Sequence, residues 1–224
     1  MKNRSFKRII YVIVSILCCT MSACTTVVID QTRKAESTLS AEDAVVVIGR
    51  RSNSDYETEQ DLISCIGDEL SSGKQITVIP ENDFVDALYP WFEPRIAPTK
   101  IEELNKLLSY DELASAIADY NVHYVIWVDG STETTSSSGQ INCGITGAGL
   151  SCFGFGTWDK KAEYEASIWD YRDKKLIGKV SSTADGTSYM PAVVVPIPII
   201  APVQDDACKA MGVQLKSFFT PKSG

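Results

Sequence analysis

Few residues of the chain have the types and spacing that catalysis requires. The 224 residues include a single histidine, His123, at the start of an apolar, strand-like segment, where a structural role is the commoner one. The chain has neither the Gly-x-Ser-x-Gly sequence of a nucleophile elbow nor a Gly-x-x-x-x-Gly-Lys-Ser/Thr phosphate-binding loop. The acidic pairs Glu102-Glu103 and Asp205-Asp206 fall at predicted helix starts, where the helix dipole explains them. The sequence therefore predicts no catalytic residue, no metal site and no cofactor.

Cys24 is the residue with the clearest predicted chemistry. Basic residues precede an apolar run from Ile9 to Leu17, and small residues stand directly before the cysteine. This layout is typical of an export signal. The sequence Met21-Ser22-Ala23-Cys24 resembles the lipobox of bacterial lipoproteins, with methionine where the family prefers leucine. The resemblance implies that residues 1–23 are a signal peptide, and that Cys24 becomes an N-terminus carrying acyl chains such as palmitate.

Two other interpretations of this segment are a signal cut at another site and an uncleaved anchor. The apolar stretch from Ile9 to Ala23 has 15 residues, fewer than the ~20 that a membrane-spanning helix needs, which disfavours the anchor. Thr25 rather than aspartate follows the lipobox cysteine. By resemblance to the sorting rule of these lipoproteins, this implies attachment to the outer membrane through the lipid, with the domain facing the periplasm.

Four further cysteines of the mature chain are candidates for disulfide bonds. An even number of cysteines in an oxidising compartment favours pairing, and four allow three pairings. The favoured pairs are Cys143–Cys152, which would close a glycine-rich loop, and Cys65–Cys208, which would join the first and last helices. Buried free thiols are the alternative. A zinc site is disfavoured, because there is no Cys-x-x-Cys spacing and only one histidine.

Three aromatic residues near two prolines are the first candidates for partner binding. Tyr89, Trp91 and Phe92 cluster between Pro90 and Pro94. Aromatic side chains on a proline-restrained loop bury a large area for little lost conformational entropy, which makes them good contact anchors. The alternative is that they fold back onto the core.

Two apolar segments are further candidates. Phe153 and Phe155 belong to the glycine-rich segment 141–158, which is predicted to be a loop. The apolar segment 193–200 contains prolines that argue against a regular helix or a central strand. Segments of this kind cover a core or, if they are exposed, mark a surface that meets a partner or a membrane.

The composition restricts the classes of partner. The signal peptide contains four of the 21 basic residues and none of the 29 acidic ones, which leaves a mature chain of 201 residues with a net charge of about −12. An acidic domain without a basic cluster is predicted not to bind nucleic acid, because phosphate contacts need clustered lysine and arginine. It would also be repelled by an anionic membrane surface, so the lipid is expected to hold it there.

Hydrophobic periodicity predicts an alternation of strands and helices. Apolar β-branched runs predict strands over 45–48, 76–79 and 123–128. Residues 162–182 alternate around a turn at 171–174 and predict a β-hairpin. A final helix follows Asp205 and Asp206. Capping boxes predict three earlier helix starts, at Ser54 with Glu57, Thr99 with Glu102 and Ser109 with Glu112.

These elements predict the fold class and the domain organisation. The order β-α-β-α-α-β-β-β-α favours an α/β fold with one mixed β-sheet flanked by α-helices, ending in a C-terminal β-hairpin and a final helix. Residues 24–40 are polar and poorly periodic and are predicted to be a tether. Residues 41–220 are predicted to form a single domain. Within it, residues 131–156 are expected to be a loop, because serine, threonine and glycine dominate them.

This order, behind a lipobox, resembles a group of envelope α/β lipoprotein domains that includes LpoB, CsgG and the N-terminal domain of TolB. The likeness is topological and rests on three strands and a hairpin: Val45 to Arg50, Ile76 to Pro80, Val122 to Trp127 and Trp169 to Asp173. The segments Asp86 to Pro94 and Cys152 to Gly156 also resemble an uncharacterised proteobacterial lipoprotein family. Domains of the first group mostly dock to other envelope proteins, which implies a binding role here.

The favoured function is therefore a lipid-anchored, non-catalytic binding and assembly module, an adaptor for another envelope protein. The alternative is a subunit of an outer-membrane secretion channel like the curli-secretion lipoprotein, with residues 140–160 inserted as a membrane hairpin. Each crossing strand needs ~9–11 residues with an apolar outer face, and this segment is barely long enough and alternates poorly. An enzyme with an unrecognised site around His123 is the third hypothesis.

Overall fold

The computed structural model describes residues 23–52, 55–56, 58–73, 75–92, 98, 100–147 and 149–220. The predicted signal peptide lies outside these residues except for Ala23, and so do the predicted capping residues Ser54, Glu57 and Thr99. Within the described residues the chain forms eight strands and five helices. The strands are β1 (Thr25–Arg33), β2 (Ala44–Gly49), β3 (Arg51–Ser52), β4 (Asp55–Tyr56), β5 (Thr77–Ile79), β6 (Val122–Thr146), β7 (Gly149–Asp170) and β8 (Lys175–Pro196). The helices are α1 (Gln60–Ser71), α2 (Glu81–Ala87), α3 (Ile101–Leu107), α4 (Asp111–Ala118) and α5 (Val203–Phe219).

Six strands form one mixed sheet in the order β1-β8-β7-β6-β2-β5, and β3 pairs with β4 separately. β2 runs parallel to both of its neighbours, with Val46 opposite Ile79 of β5 and Val125 of β6. Short turns join β6 to β7 and β7 to β8, and connections of this length permit only antiparallel pairing. The predicted α/β fold, with its mixed sheet, C-terminal hairpin and final helix, is confirmed.

One face of the sheet packs against α2, α3 and α4. β2 is buried along its whole length, as expected of a parallel strand covered on both faces. Its Val46 and Ile48 join Trp127 of β6 in a core with side chains from these helices. Fully burying such a side chain contributes about 1.5–3 kcal/mol before conformational entropy is subtracted. The side chains of this core that come from the helices, or from the residue directly after one, are Phe84, Leu88, Leu104, Leu108, Leu113 and Ile117.

The other face packs against α1 and α5, which also contact each other closely. A β-carbon at Gly212 of α5 would lie 2.5 Å from the β-carbon of Glu69 on α1, so only glycine allows this approach. The Ser182 hydroxyl of β8 donates to the Ala207 carbonyl of α5 at 3.2 Å. The rings of Tyr124 and Phe219 lie 5.1 Å apart. The core of the sheet is therefore closed on both faces.

The described chain divides into two compact units. The hairpin unit consists of residues 23–26, 134–160 and 186–202. The core unit consists of the remaining described residues, 27–133, 161–185 and 203–220. Strands β6, β7 and β8 contribute residues to both units.

The segment predicted to be a tether begins with a strand. β1 occupies Thr25–Arg33 beside β8, and the backbone amide of Lys34 donates to the Ile177 carbonyl at 2.8 Å. The tether prediction was wrong here, because this strand is at the edge of the sheet. Its apolar run is only three residues long, Val27 to Ile29, and polar residues flank it on both sides, so the sequence pattern for a strand is weak.

Residues 131–156, predicted to be a loop, instead extend β6 and β7 as a paired ladder. Glycine makes the pairing possible in the hairpin unit, where Gly139 and Gly154 have φ angles of +96° and +146°. A β-carbon at Gly139 would collide with the Phe155 carbonyl, and one at Gly154 with the Gln140 carbonyl. The glycines that suggested a loop are therefore positions where two backbones approach closely.

Two local predictions were also wrong. The Ser109 hydroxyl donates to the Lys106 carbonyl at 2.7 Å and does not cap α4, since serine can bond the preceding turn instead. β8 continues through Pro191 to Pro196, although prolines were expected to exclude a central strand. The carbonyl of Pro191 accepts a hydrogen bond from the Ile197 amide at 3.0 Å. This bond does not need an N–H group on residue 191, so proline can make it.

Both predicted disulfides form. Cys65–Cys208 joins α1 to α5 across 143 residues of sequence, with the Cα atoms 6.2 Å apart. Cys143–Cys152 joins facing positions of β6 and β7 across nine residues, with the Cα atoms 4.0 Å apart. The first bond ties the final helix to the first, and the second cross-links the ladder of the hairpin unit.

The two disulfides are expected to stabilise the fold unequally. In the chain-entropy model, a cross-link stabilises by restricting the unfolded chain, by about 5 kcal/mol for a loop of this longer length and about 2.5 kcal/mol for the shorter one. Replacing Cys65 and Cys208 by serine should therefore lower the free energy of unfolding more than replacing Cys143 and Cys152. Denaturant unfolding of both double variants measures this. Equal losses would contradict the assignment of the long-range bond as the main covalent restraint.

Candidate functional site

The hairpin unit has an unusual combination of composition and exposure. No charged residue occurs in 134–158 or in 186–202. Nevertheless, nine of the fourteen large apolar side chains that are exposed in the described chain belong to this unit. They are Ile145, Leu150, Phe153, Phe155, Val193, Val194, Val195, Ile197 and Ile200. Exposed apolar surfaces of this kind are typical of interaction sites, which makes this surface the candidate functional site.

Aromatic side chains form one part of this surface. Phe153 and Phe155 are 57% and 46% exposed on alternate positions of β7, so both point to the same face. The ring of Tyr189 on β8 lies 6.1 Å from the ring of Phe155. We call Phe153, Phe155 and Tyr189 the aromatic face. Two of its three members were predicted as partner-binding residues.

The charge of the hairpin unit is confined to Asp159 and Lys160. The Asp159 carboxylate accepts from the Ser136 hydroxyl at 2.5 Å and from the Thr187 hydroxyl at 2.6 Å. These two hydrogen bonds hold the pKa of Asp159 below its ordinary value. Polar side chains from all three strands therefore meet around Asp159, while the exposed apolar side chains occupy residues 145–155 and 193–200.

The residues of the other predicted aromatic cluster take three different environments. Phe92 is 2% exposed and packs against Phe84, with the ring centroids 5.6 Å apart, so the prediction of a contact role for it was wrong. The physical reason is that the chain at Phe92 folds back onto the core, which was the alternative interpretation of this cluster. Trp91 is half-buried and stacks on Tyr110 at 5.3 Å. Tyr89 is 70% exposed, so it alone of the three is freely accessible.

His123 lies at the start of β6, in a cluster with two buried carboxyl groups and the half-exposed Arg172. Its Nδ1 is 3.0 Å from Oδ2 of Asp43, and its Nε2 is 3.6 Å from Oδ2 of Asp170. Arg172 donates from Nη2 to Oδ1 of Asp43 at 2.5 Å. The cluster joins residues 80 to 129 positions apart from Asp43 in the sequence, and no local signal could have predicted it.

The electrostatics of this cluster favour an ionised Asp43. Burial opposes ionisation, but hydrogen bonds from Ser40, His123 and Arg172 outweigh it and hold the pKa of Asp43 well below its usual range. Both ring nitrogens of His123 face carboxylates, and no nucleophile lies among these partners. The arrangement is suited to fixing β6 to the segment before β2 and to the β7–β8 turn.

Other features of the described residues offer little chemistry. A cleft of about 590 Å³ lies beside α1, and its described lining includes Ser64, Asp68 and Glu81 but no histidine, cysteine or lysine. Among the described residues, no group of three or more potential ligands is placed to hold a metal ion. No helix in the described part of the chain is long and apolar enough to cross a membrane.

Comparison with solved structures gives distant similarities. No protein-family model matches the chain, and no curated protein matches it. Two structures of the PelC dodecamer from Paraburkholderia phytofirmans share 10% and 14% identity with it, each over 88% of this chain and 100% of PelC, with a TM-score of 0.42. A neuraminyllactose-binding hemagglutinin homologue from Helicobacter pylori shares 9% identity over 85% of this chain and 91% of its own, with a TM-score of 0.35.

Loss of the Asp43 carboxylate is expected to destabilise the fold in a pH-dependent way. Asp43→Asn should lower the free energy of unfolding by about 3 kcal/mol, because it removes the buried anion that His123 and the half-exposed Arg172 both contact. A carboxyl whose folded-state pKa is depressed contributes stability above its unfolded pKa of about 3.9, and this is lost as the pH falls further. The difference between the parent chain and Asp43→Asn should therefore be full at pH 6 and shrink below about pH 4.

Asp173→Asn is the matched control for this experiment. The Asp173 carboxylate pairs with Lys175 at 2.6 Å, but its side chain is 58% exposed, so water screens the pair. Its removal should therefore lower the free energy of unfolding much less than Asp43→Asn does. Urea unfolding of the three proteins between pH 3 and pH 7 measures both effects. Equal losses in the free energy of unfolding for the two variants would show that the cluster around Asp43 stabilises the fold no more than an exposed ion pair does.

Proposed function

We propose that this chain is a lipid-anchored protein of the bacterial outer membrane, facing the periplasm, that acts as a non-catalytic binding and assembly module. In this proposal Cys24 carries the lipid, and the hairpin unit binds another envelope protein. The observation that carries the proposal is the exposed, charge-free apolar surface of the hairpin unit. A stable monomer rarely leaves so much apolar surface in water without a partner.

The position of Cys24 supports the lipid anchor. Cys24 is exposed and directly precedes β1, so acyl chains on its thiol would extend into solvent or membrane without disturbing the core. Several acyl chains together give stable attachment, at about 0.8 kcal/mol for each buried CH₂ group. The two disulfides support an oxidising compartment, where such bonds persist.

The aromatic face supports docking to a protein. Binding hot spots are enriched in tyrosine and tryptophan and lie in desolvated patches, and large flat rings bury much area at small entropic cost. Phe153, Phe155 and Tyr189 lie on paired strands, which fix their backbone before any partner arrives. Preorganisation of this kind lowers the cost of binding.

A second candidate function is a subunit of a secretion channel whose β6–β7 hairpin enters the membrane. The observation that favours it is the length of charge-free paired strand, residues 134–146 of β6 and 149–158 of β7, against the ~9–11 residues that a crossing strand needs. The side chains argue against it. Ser136, Ser137 and Ser138 follow one another in β6 and are all exposed, so no face of that strand is apolar throughout.

The lipid anchor is tested by replacing the acceptor cysteine. Cys24→Ser should deplete the protein from the outer-membrane fraction, because acylation of Cys24 supplies the main attachment. Palmitate labelling of the parent chain, absent from the variant, provides the direct readout. Labelling that persists in Cys24→Ser would contradict the assignment of Cys24 as the lipid-bearing residue.

Docking through the aromatic face is tested by photocrosslinking in cells. A photoreactive phenylalanine at position 155 should give one dominant adduct with a second envelope protein, identified by mass spectrometry. The control position is Tyr120, an exposed aromatic residue of the core unit, which should give no such adduct.

The alternative results separate the candidate functions. Adducts at position 155 with further copies of this chain alone would favour the channel subunit. No adduct at position 155, with normal expression, would contradict a docking role for the aromatic face.

A further inference from the structure

The last residues of β8 before Pro196 bend as an apolar loop whose backbone is strained. Val193, Val194 and Val195 are 76%, 53% and 61% exposed, and Val194 has a φ angle of +79°. A β-branched residue in this left-handed region is a genuine outlier, because its side chain crowds the backbone. Such strain persists only where the surroundings enforce it, and it concentrates at functional positions.

Backbone hydrogen bonds hold this loop in place. Tyr189 and Ile199 exchange two of them, with N···O distances of 2.9 and 2.7 Å, and the Ile197 amide donates to the Pro191 carbonyl at 3.0 Å. The chain from Tyr189 to Ile199 therefore turns back on itself. We call residues 193–195, the part of β8 between these hydrogen-bonded positions, the valine loop. Ile197 and Ile200 beside it are 62% and 59% exposed.

We propose that the valine loop inserts into the surface of the membrane that carries the lipid of Cys24. This inference rests on the lipid-anchored function proposed above and adds a second attachment point to it. The position of the anchor supports it, since residues 23–26 and the valine loop belong to the same compact unit. Acyl chains at Cys24 would confine this unit to the bilayer surface.

The chemistry of the loop fits lipid better than a protein pocket. Protein hot spots are enriched in tryptophan, tyrosine and arginine, and valine is under-represented there. The valine loop has no aromatic or charged residue, and no residue of 186–202 carries a charge. It therefore offers only non-directional apolar contact, which acyl chains can match. The aromatic face, with its rings, remains the surface suited to a protein.

The net charge of the mature chain determines which lipid composition the binding test needs. With a net charge of about −12, the protein is repelled by anionic headgroups. Insertion of the valine loop should therefore be strongest on zwitterionic vesicles and should weaken as anionic lipid is added.

The test uses the mature chain from residue 24 with Cys24→Ser, so that no lipid contributes to binding. Co-sedimentation with phosphatidylethanolamine–phosphatidylcholine vesicles gives the partition coefficient. Val194→Asp should reduce this coefficient by about tenfold or more, since burying one valine is worth on the order of a tenfold change. The control is Val213→Asp on α5, where the valine is 60% exposed in the core unit, and it should have no effect.

A second variant separates membrane binding from folding. Val194→Gly removes the side chain and also relieves the strain, because glycine adopts a positive φ angle without cost. Its thermal midpoint should equal or exceed that of the parent chain, while its vesicle partition falls several-fold. A parent chain that does not bind vesicles, or a Val194→Asp variant that binds as well as the parent, would overturn the inference. Crosslinking from position 155 to a protein could still succeed in either case, so the two proposals fail independently.

Discussion

The pairing of β6 with β7 requires glycine at three positions. Side chains at Gly130, Gly139 and Gly154 would collide with the backbone of the facing strand, and all three have positive φ angles. These glycines allow a segment with almost no apolar run of its own to form a long antiparallel ladder. The Cys143–Cys152 bond then cross-links that ladder. The exposure of the aromatic face follows from this, because paired backbones hold side chains out that a flexible loop could have folded inward.

Apolar side chains of the same strand are buried in the core unit and exposed in the hairpin unit. In the core unit, Ala162, Ala166 and Ile168 of β7 are fully buried. In the hairpin unit the same strand leaves Phe153 and Phe155 exposed. Apolar side chains stabilise the first unit by leaving water on folding, whereas those of the second can leave water only by binding. β7 is thus divided into a stretch whose apolar side chains are buried in the core and a stretch whose apolar side chains remain exposed.

Much of the fold could be predicted from the sequence where local periodicity and burial agree. The apolar runs at 45–48 and 123–128 lie in β2 and β6. The alternating residues on either side of 171–174 lie in β7 and β8, and residues 171–174 form the turn between them. The even cysteine count, read with the predicted helices, led to both disulfides. The edge strand β1 and the glycine-containing ladder were missed, because their conformation depends on a neighbouring strand rather than on their own residues.

The candidate site was predicted only in part, for related reasons. Phe153 and Phe155 were found because aromatic residues among glycines are conspicuous. Phe92 was misassigned, since a sequence does not show which ring of a proline-rich loop turns inward. The contacts of His123 with Asp43 and Asp170 join distant positions, so only the folded chain reveals them. The absence of charge from 134–158 and 186–202 was the one sequence signal that could have delimited the whole surface.

If the hairpin unit binds as proposed, its apolar surface is covered in the cell. Cysteine accessibility can measure this, with Phe155→Cys and Val194→Cys labelled by a membrane-impermeant maleimide that reaches the periplasm through permeabilised outer membranes. Both thiols should react readily in the purified, non-lipidated protein and should be protected in native membranes, whereas Tyr120→Cys should react equally in both. Full reactivity of positions 155 and 194 in native membranes would show that the apolar surface stays in water. That result would contradict binding through the hairpin unit.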